Sequence, residues 1–170
     1  AWLLKNVNIE SGKPINKHNG KIISCCLPMH TFGMPCRIKE IAEICFSYGI
    51  PLIEDTAESL GSSIHNQHTG TFGTAATFSF NGNKTITTGG GGMIVTNNVK
   101  LADKLKHLTT TAKKPHAFEY FHDEVGYNYR LPNINAALGV AQMEILDQIL
   151  ERKKELAETY KNFFYKKGIK

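Results

Sequence analysis

Residues 21–55 read KIISCCLPMHTFGMPCRIKEIAEICFSYGIPLIED, and this stretch decides the fold class. Its first seven residues, 21–27, are a largely apolar run around two cysteines and read as a buried strand. Met34-Pro35 then opens a helix expected to continue through about Tyr48. Ile38, Ile41, Ala42 and Cys45 recur at helical spacing and give it one apolar face, and Gly49 ends it. Pro51-Leu52-Ile53 is a short apolar strand that runs into Glu54-Asp55. Strand, helix, strand in this order is a βαβ unit with parallel strands, so the class is α/β.

The same reading extends downstream. Residues 75–80 (AATFSF) and 92–96 (GMIVT) are a third and a fourth strand. Asn98 can cap a helix over roughly 99–111. Residues 115–132 lack periodicity, are rich in aromatics and histidines, and read as an extended loop. Asn133 can cap a long helix to about Tyr165, with Ile134, Leu138, Ala141, Ile145 and Ile149 on its apolar stripe. A stripe of that length packs on a domain or on a partner subunit.

Composition narrows the function classes. The chain has 170 residues, 41% hydrophobic and 21% charged, which suits one folded domain with its own core. No run approaches the roughly 18 apolar residues of a membrane span, and the first residues are too short for a secretory signal. The chain begins with Ala rather than Met, which points to sequence upstream. The net charge of +5 reads as attraction to an acidic partner, such as nucleic acid or a phosphorylated small molecule, or more plainly as a solvated face. The lysines after Arg152 alternate with Glu151, Glu155 and Glu158, as on a solvated helix face. No basic–aromatic alternation suggests nucleic acid. Cys25, Cys26, Cys36 and Cys45 contain no C-x-x-C pair and read as buried free thiols, which fits a reducing cytoplasm.

Three chemistry-bearing residues fall at or near strand ends. Asp55 follows the strand at 51–53, Ser79 closes that at 75–80, and Lys84 lies in the Gly-, Asn- and Thr-rich loop beyond. Ligands of open α/β sheets collect at the carboxyl ends of parallel strands. A carboxylate, a hydroxyl and an amine there suit one anionic heteroaromatic ligand, and pyridoxal phosphate (PLP) fits. Its aldehyde needs an amine, its ring nitrogen a carboxylate, and its phosphate hydroxyl and N–H donors. Taken singly, each residue also has a plainer reading: Asp55 as a turn cap, Ser79 as a strand residue, Lys84 as a surface lysine.

Three motifs in order carry a family resemblance. Ile53-Glu54-Asp55-Thr56-Ala57-Glu58-Ser59-Leu60-Gly61 resembles the acidic motif of DegT/DnrJ-type PLP-dependent nucleotide-sugar aminotransferases. Phe78 to Gly92, around Lys84, resembles their lysine loop, and Gly126 to Asn133 resembles the segment before their long helix. The resemblance implies a three-layer α/β sandwich like the large domain of aspartate-aminotransferase-like, fold type I, PLP-dependent transferases. Residues 1–132 would be part of that cofactor-binding domain, and 133–170 the long helix leading toward the small domain.

The resemblance also implies roles. Lys84 would bond the cofactor and shuttle a proton. Asp55 would pair with its ring nitrogen, with Ala57 and Glu58 beside it, where the family often has Gln or His in place of Glu58. Ser79 would bind the phosphate, and Asn128 the phosphate of the neighbouring subunit's cofactor, so the active site would be shared in a homodimer. The implied reaction moves an amine, with glutamate as donor, to a nucleotide-linked keto-6-deoxy sugar at C4, for surface polysaccharide or nonulosonic acid synthesis. The chain is shorter than family members and lacks their upstream and downstream parts.

Competing constellations are weaker. A sugar dehydratase on the same fold carries His in place of the lysine, so Lys84 argues against it. A dimerising or ligand-binding fragment without activity is the non-enzymatic alternative. Gly89–Gly92 is followed by a strand and lacks G-K-[ST], so it is neither nucleotide motif. His65, His68, His116 and His122 have no metal-ligand spacing, and no metal is expected, although His116 and His122 are placed to meet a nucleotide-sugar. Ser79 lacks the G-x-S-x-G elbow of a hydrolase nucleophile.

Overall fold

The computed structural model describes residues 1–169. It contains α1 (Trp2–Asn6), the strands β1 (Val7–Glu10) and β2 (Lys13–Asn16), α2 (Ile38–Ser47), β3 (Ile53–Asp55), β4 (Ser63–Ile64), β5 (Gln67–His68), β6 (Ala75–Ser79), β7 (Gly92–Val95), α3 (Val99–Thr109), α4 (Asn133–Glu144) and α5 (Leu146–Lys166). The α/β class is as expected. The chain divides into two compact units, one of residues 1–78 and 92–130, the other of residues 79–91 and 131–170.

The first unit holds the sheet, in the order β3-β6-β7. β3 and β6 are parallel, with Ile53 opposite Ala75 and Asp55 opposite Thr77. Residues 21–27 do not form the expected buried strand. The segment does run parallel to β3, through single bridges Cys26↔Leu52 and Met29↔Asp55. Asp55 N–H donates to the Pro28 carbonyl at 2.9 Å, but Pro28 has no N–H with which to extend a ladder. Leu27 is 63% exposed, and Cys25 is exposed too.

The helix also begins later than expected, at Ile38 rather than Met34. Pro35 restricts the residue before it to extended backbone, and Met34 sits at φ −82°, ψ 112°. The expected apolar face is present. Ile38 and Cys45 join Ile50 and Leu52 in the core, with Ile41, Ala42, Ile23 and Phe72 packed around them. Gly49, at φ +64°, follows the Tyr48 cap, as a helix-ending glycine does. Of the four free thiols only Cys45 is buried. Burial, with Cys26 alongside, pushes it up to about 11.

Two hairpins escaped the sequence reading. β1 pairs with β2 across Ser11-Gly12, and β4 with β5 across His65-Asn66. All four turn residues have positive φ, as such two-residue loops require. α3 is capped as expected, the Asn98 side chain accepting from Leu101 N–H at 3.1 Å. Residues 115–132 are irregular as expected, apart from single bridges at His122 and Asn128.

The second unit holds the lysine loop and two helices. The single long helix expected from 133 to 165 is broken at Ile145, whose φ of −112° and ψ of 11° leave the helical region. Asn133 is the first helical residue and not the cap. That position is Pro132, whose carbonyl accepts from Ala136 N–H at 2.9 Å. The apolar residues of α4 are spread around it rather than confined to one stripe. Among the described residues no helix is long and apolar enough to cross a membrane.

Candidate active site

Glu54 and Asp55 are neighbours on β3 and therefore face opposite ways. Glu54 is fully buried. Its carboxylate accepts from the backbone N–H groups of Gly70 at 2.8 Å, Phe72 at 2.7 Å and Gly73 at 2.8 Å. A fourth bond comes from His30 Nε2 at 3.2 Å. His30 Nδ1 accepts from Cys36 N–H at 3.2 Å, so the hydrogen of the ring sits on Nε2 and is donated to Glu54. Only glycine fits at 73, because a Cβ there would lie 2.6 Å from the Leu52 carbonyl oxygen.

Asp55 is half-buried, and its Oδ1 accepts from Ala57 N–H at 3.0 Å. No hydrogen bond to its Oδ2 is found among the described residues. Ala57 thus contributes backbone to the orientation of Asp55. Glu58 Oε2 accepts from Phe32 N–H at 2.7 Å and holds the turn Thr31–Gly33, where Phe32 has φ 54°.

Asn128 lies in the same unit, on the irregular segment after α3. Arg130 Nη1 donates to Asn128 Oδ1 at 3.3 Å, and Arg130 Nη2 to the Thr110 carbonyl at 3.1 Å. With Oδ1 engaged, the amide N–H groups of Asn128 remain as donors. The backbone here is strained: Thr111, a β-branched residue, has φ 76° and Ala112 has φ 50°. Gly126 packs against this turn so closely that a Cβ would lie 2.3 Å from the Thr111 carbonyl carbon. His107, Asp123 and Glu124 bring three potential ligand atoms within 4.8 Å of one another. Lys104 and Lys114 pair with the same two carboxylates, which makes the group an ion-pair network. The hydrogen bond from His107 holds Asp123 below the usual carboxylate range.

Ser79 and Lys84 belong to the second unit. Ser79 is the last residue of β6, and its Oγ accepts from Asn81 N–H at 3.4 Å, leaving the hydroxyl hydrogen to donate elsewhere. Lys84 is half-buried, its own N–H bonded to the Asn81 carbonyl at 3.1 Å. The far end of the loop is fastened to α4. Gln142 accepts from Thr87 N–H at 2.9 Å and donates to the Thr87 carbonyl at 2.7 Å. Asn135 Nδ2 donates to the Thr88 carbonyl at 2.5 Å. A Cβ at Gly139 would lie 3.0 Å from Thr88 Cγ2, so a small residue there lets helix and loop approach.

The sequence profile of the DegT/DnrJ/EryC1/StrS aminotransferase family matches residues 4–169. The chain belongs to this family. It is 45% identical over 161 residues to the GDP-perosamine synthase of Escherichia coli O157:H7, covering 95% of this chain and 42% of that protein. It is 41% identical over 162 residues to EpsN of Bacillus subtilis, which carries the assignment of a pyridoxal phosphate-dependent aminotransferase, again covering 95% of this chain and 42% of EpsN. Among solved structures, Helicobacter pylori PseC, an aminotransferase of pseudaminic acid biosynthesis, superposes with a TM-score of 0.79 at 30% identity, over 83% of this chain and 38% of PseC. The chain therefore spans about two-fifths of the length of these relatives. The fold is that of the family's aminotransferases.

The donor set fits the family's cofactor, PLP. Asp55 offers an acceptor oxygen, Ser79 a hydroxyl hydrogen, Asn128 amide hydrogens and Lys84 an amine. Within the first unit Asp55, Ala57 and Glu58 share one turn at the end of β3, with Asn128 on a separate segment. Ser79 and Lys84 share one loop of the second. The family's sequence reading gave no role to His30, Glu54, Arg130, Asn135 or Gln142. The last two are seven residues apart, hence on one helix face, and two amides at that spacing on a largely apolar helix were the available signal.

Proposed function

We propose that this chain supplies the lysine-bearing part of a PLP-dependent nucleotide-sugar aminotransferase. The observation that carries this is the acidic motif at Asp55 and the lysine loop at Lys84 within a family match that runs almost end to end. PLP, when bound, supplies an electron sink for moving an amino group between an amino acid and a carbonyl. Lys84 would hold the cofactor through its amine and, once released, would take the proton from the Cα of the donor in one half-reaction and deliver a proton to the sugar carbon in the other. Asp55 keeps the ring nitrogen protonated through Oδ2, while Ala57 N–H fixes its other oxygen. Ser79 Oγ donates to the phosphate. Glu58 braces the turn at Phe32 close to the ring-nitrogen carboxylate.

The finer reading is a keto-6-deoxy sugar on a nucleoside diphosphate, aminated at C4 with glutamate as donor, for surface polysaccharide or nonulosonic acid synthesis. The GDP-perosamine synthase and PseC likenesses support a nucleotide-sugar of this kind. Asn128 donates its amide hydrogens to the cofactor phosphate of a second subunit, so the working unit is a homodimer. The exposed apolar residues of α4 support an assembly. Ile134 is 86% exposed in this chain, and Val140 and Met143 are exposed as well.

The test uses the intact protein. Borohydride reduction in the presence of PLP should leave a stable adduct on the peptide that contains Lys84. An adduct on Lys113 or Lys114 instead would refute the assignment. With glutamate and GDP-, UDP- or dTDP-linked 4-keto-6-deoxy sugars, one substrate should gain a C4 amine, read by mass and NMR. Lys84→Ala should abolish this by at least about a thousandfold. Mixing inactive Lys84→Ala with inactive Asn128→Ala chains should restore part of the activity once subunits exchange. No recovery despite exchange would refute the shared site.

A further inference from the structure

His30 and Glu54 form a fully buried pair to which the proposed chemistry gives no task. Glu54 is the neighbour of Asp55 on β3, and His30 bonds both members of this dipeptide. Its Nε2–H donates to Glu54 Oε2 at 3.2 Å, and its backbone N–H donates to the Asp55 carbonyl at 3.1 Å. Asp55 N–H donates in turn to the Pro28 carbonyl at 2.9 Å, so the loop of His30 holds both main-chain groups of Asp55. Two further bonds join that loop to the turn after β3. Glu58 Oε2 accepts from Phe32 N–H at 2.7 Å, and Ser62 Oγ donates to the Gly33 carbonyl at 2.7 Å.

We infer that His30 is a positioning residue for Asp55: it fixes the end of β3 so that Asp55 Oδ2 meets the ring nitrogen of PLP. The inference rests on the PLP reading above and deepens it. β3 has three residues, and its neighbour on the His30 side offers single bridges in place of a continuous ladder. Pairing alone therefore holds this strand end weakly, and the direction of Asp55 depends on what grips its flanks. Glu54 is clamped by the Gly70, Phe72 and Gly73 N–H groups and by His30. Successive side chains on a strand point to opposite faces. Fixing Glu54 thus fixes the rotation of β3 about its axis, and with it the direction in which Asp55 points. The tautomer is fixed as well, because Cys36 N–H occupies Nδ1 and commits the Nε2 hydrogen to Glu54. Placement matters at this scale, since a site group is productive only within about 0.5 Å of its proper position.

A buried polar pair also stabilises a fold, so the test separates orientation from stability. It reads the ring nitrogen itself, by NMR of the intact protein loaded with PLP that is isotopically labelled at that atom. In the parent the nitrogen resonance should be that of a protonated pyridine, and Asp55→Asn should move it toward the unprotonated position. His30→Asn keeps an acceptor for Cys36 N–H but is too short to reach Glu54. It should move the resonance part of the way to the Asp55→Asn value. It should also lower kcat about a hundredfold, with KM for the amino donor nearly unchanged. His30→Gln places a donor near the position of Nε2 and should recover most of both. Glu54→Asp keeps the carboxylate but shortens its reach, so it loosens the same node by a second route and should shift the resonance in the same direction. Ile38→Val, a destabilising change in the core of the same unit, should leave the resonance at the parent position. If Asp55→Asn moves the resonance and neither His30→Asn nor Glu54→Asp does, the inference is overturned and the role of Asp55 stands. A shift in Ile38→Val as large as that in His30→Asn overturns it too, because any loss of stability would then do the same. If the parent ring nitrogen is unprotonated, or Asp55→Asn leaves the resonance in place, the role of Asp55 falls and the inference with it.

Discussion

The end of β3 and the helix pair α4–α5 solve opposite problems. At β3 a charged side chain, Glu54, is wholly buried, and every bond that it needs comes from its own unit. On α4 and α5 apolar side chains such as Ile134, Val140 and Phe163 lie exposed, and neither helix has a buried residue. The first region is polar and closed, the second apolar and open. Burial of a carboxylate is tolerated only where donors surround it, so the β3 node reports a structure complete in itself. Exposed apolar helices report the reverse: no described part of this chain covers them, and the proposed assembly is what would.

Breaking the closed node should have the largest effect. Glu54→Gln keeps the size of the side chain but turns an acceptor oxygen into an NH₂ group facing backbone N–H donors. We expect a loss of about 3 kcal/mol, read by urea unfolding of the intact protein. A loss below about 1 kcal/mol would mean that the node is not closed and that water satisfies these donors. Next in size is the fastening of the lysine loop. Gln142→Ala removes both bonds to Thr87 and leaves a partly buried N–H and carbonyl unpaired, at about 1–2 kcal/mol. Because the loop carries Lys84, the same variant should lose PLP affinity, whereas an equally destabilised variant elsewhere should not.

The fold was legible where local chemistry decides. The apolar period of 38–45, the glycine at 49 and the Asn98 cap all act within a few residues of themselves, and each did what its sequence says. The misses came where a distant partner decides. Residues 21–27 have strand composition, but Pro28 cuts the ladder along β3, and the segment is left with single bridges: Ile22 to Ile15 of β2, and Cys26 to Leu52 beside β3. His30 and Glu54 are 24 residues apart, and neither shows in a local pattern that the other will bury it. The candidate site followed the same rule. Asp55, Ser79 and Lys84 stand out as candidates because strand ends and a family motif mark them. Arg130, Asn135 and Gln142 serve other residues across the fold, and spacing alone does not reveal such service.

A local signal can be checked as a control on this contrast. Asn98→Ala removes the cap of α3 and should cost about 1 kcal/mol, with Asn98→Asp or Asn98→Ser recovering most of it. The effect should appear in unfolding and leave PLP binding alone. A change in cofactor affinity would mean that α3 is coupled to the site.

The smallest effect is expected on the open face, and there the comparison is most exposed to failure. Ile134 is 86% accessible to solvent in this chain, so Ile134→Ser removes almost no packing that the chain itself provides. In protein dilute enough to be monomeric, unfolding should shift by less than about 0.5 kcal/mol. At higher concentration the outcome should differ, because a surface that buries Ile134 in an assembly loses a large apolar contact when Ser replaces it. Sedimentation of the intact protein should then show weaker self-association, and activity should fall with it if Asn128 serves a second subunit. A variant that unfolds readily as a monomer would show that Ile134 belongs to the core of its own chain, covered by a segment outside residues 1–170. A variant unchanged in both stability and association would show that this face is merely solvated, and the open half of the contrast would have to be given up.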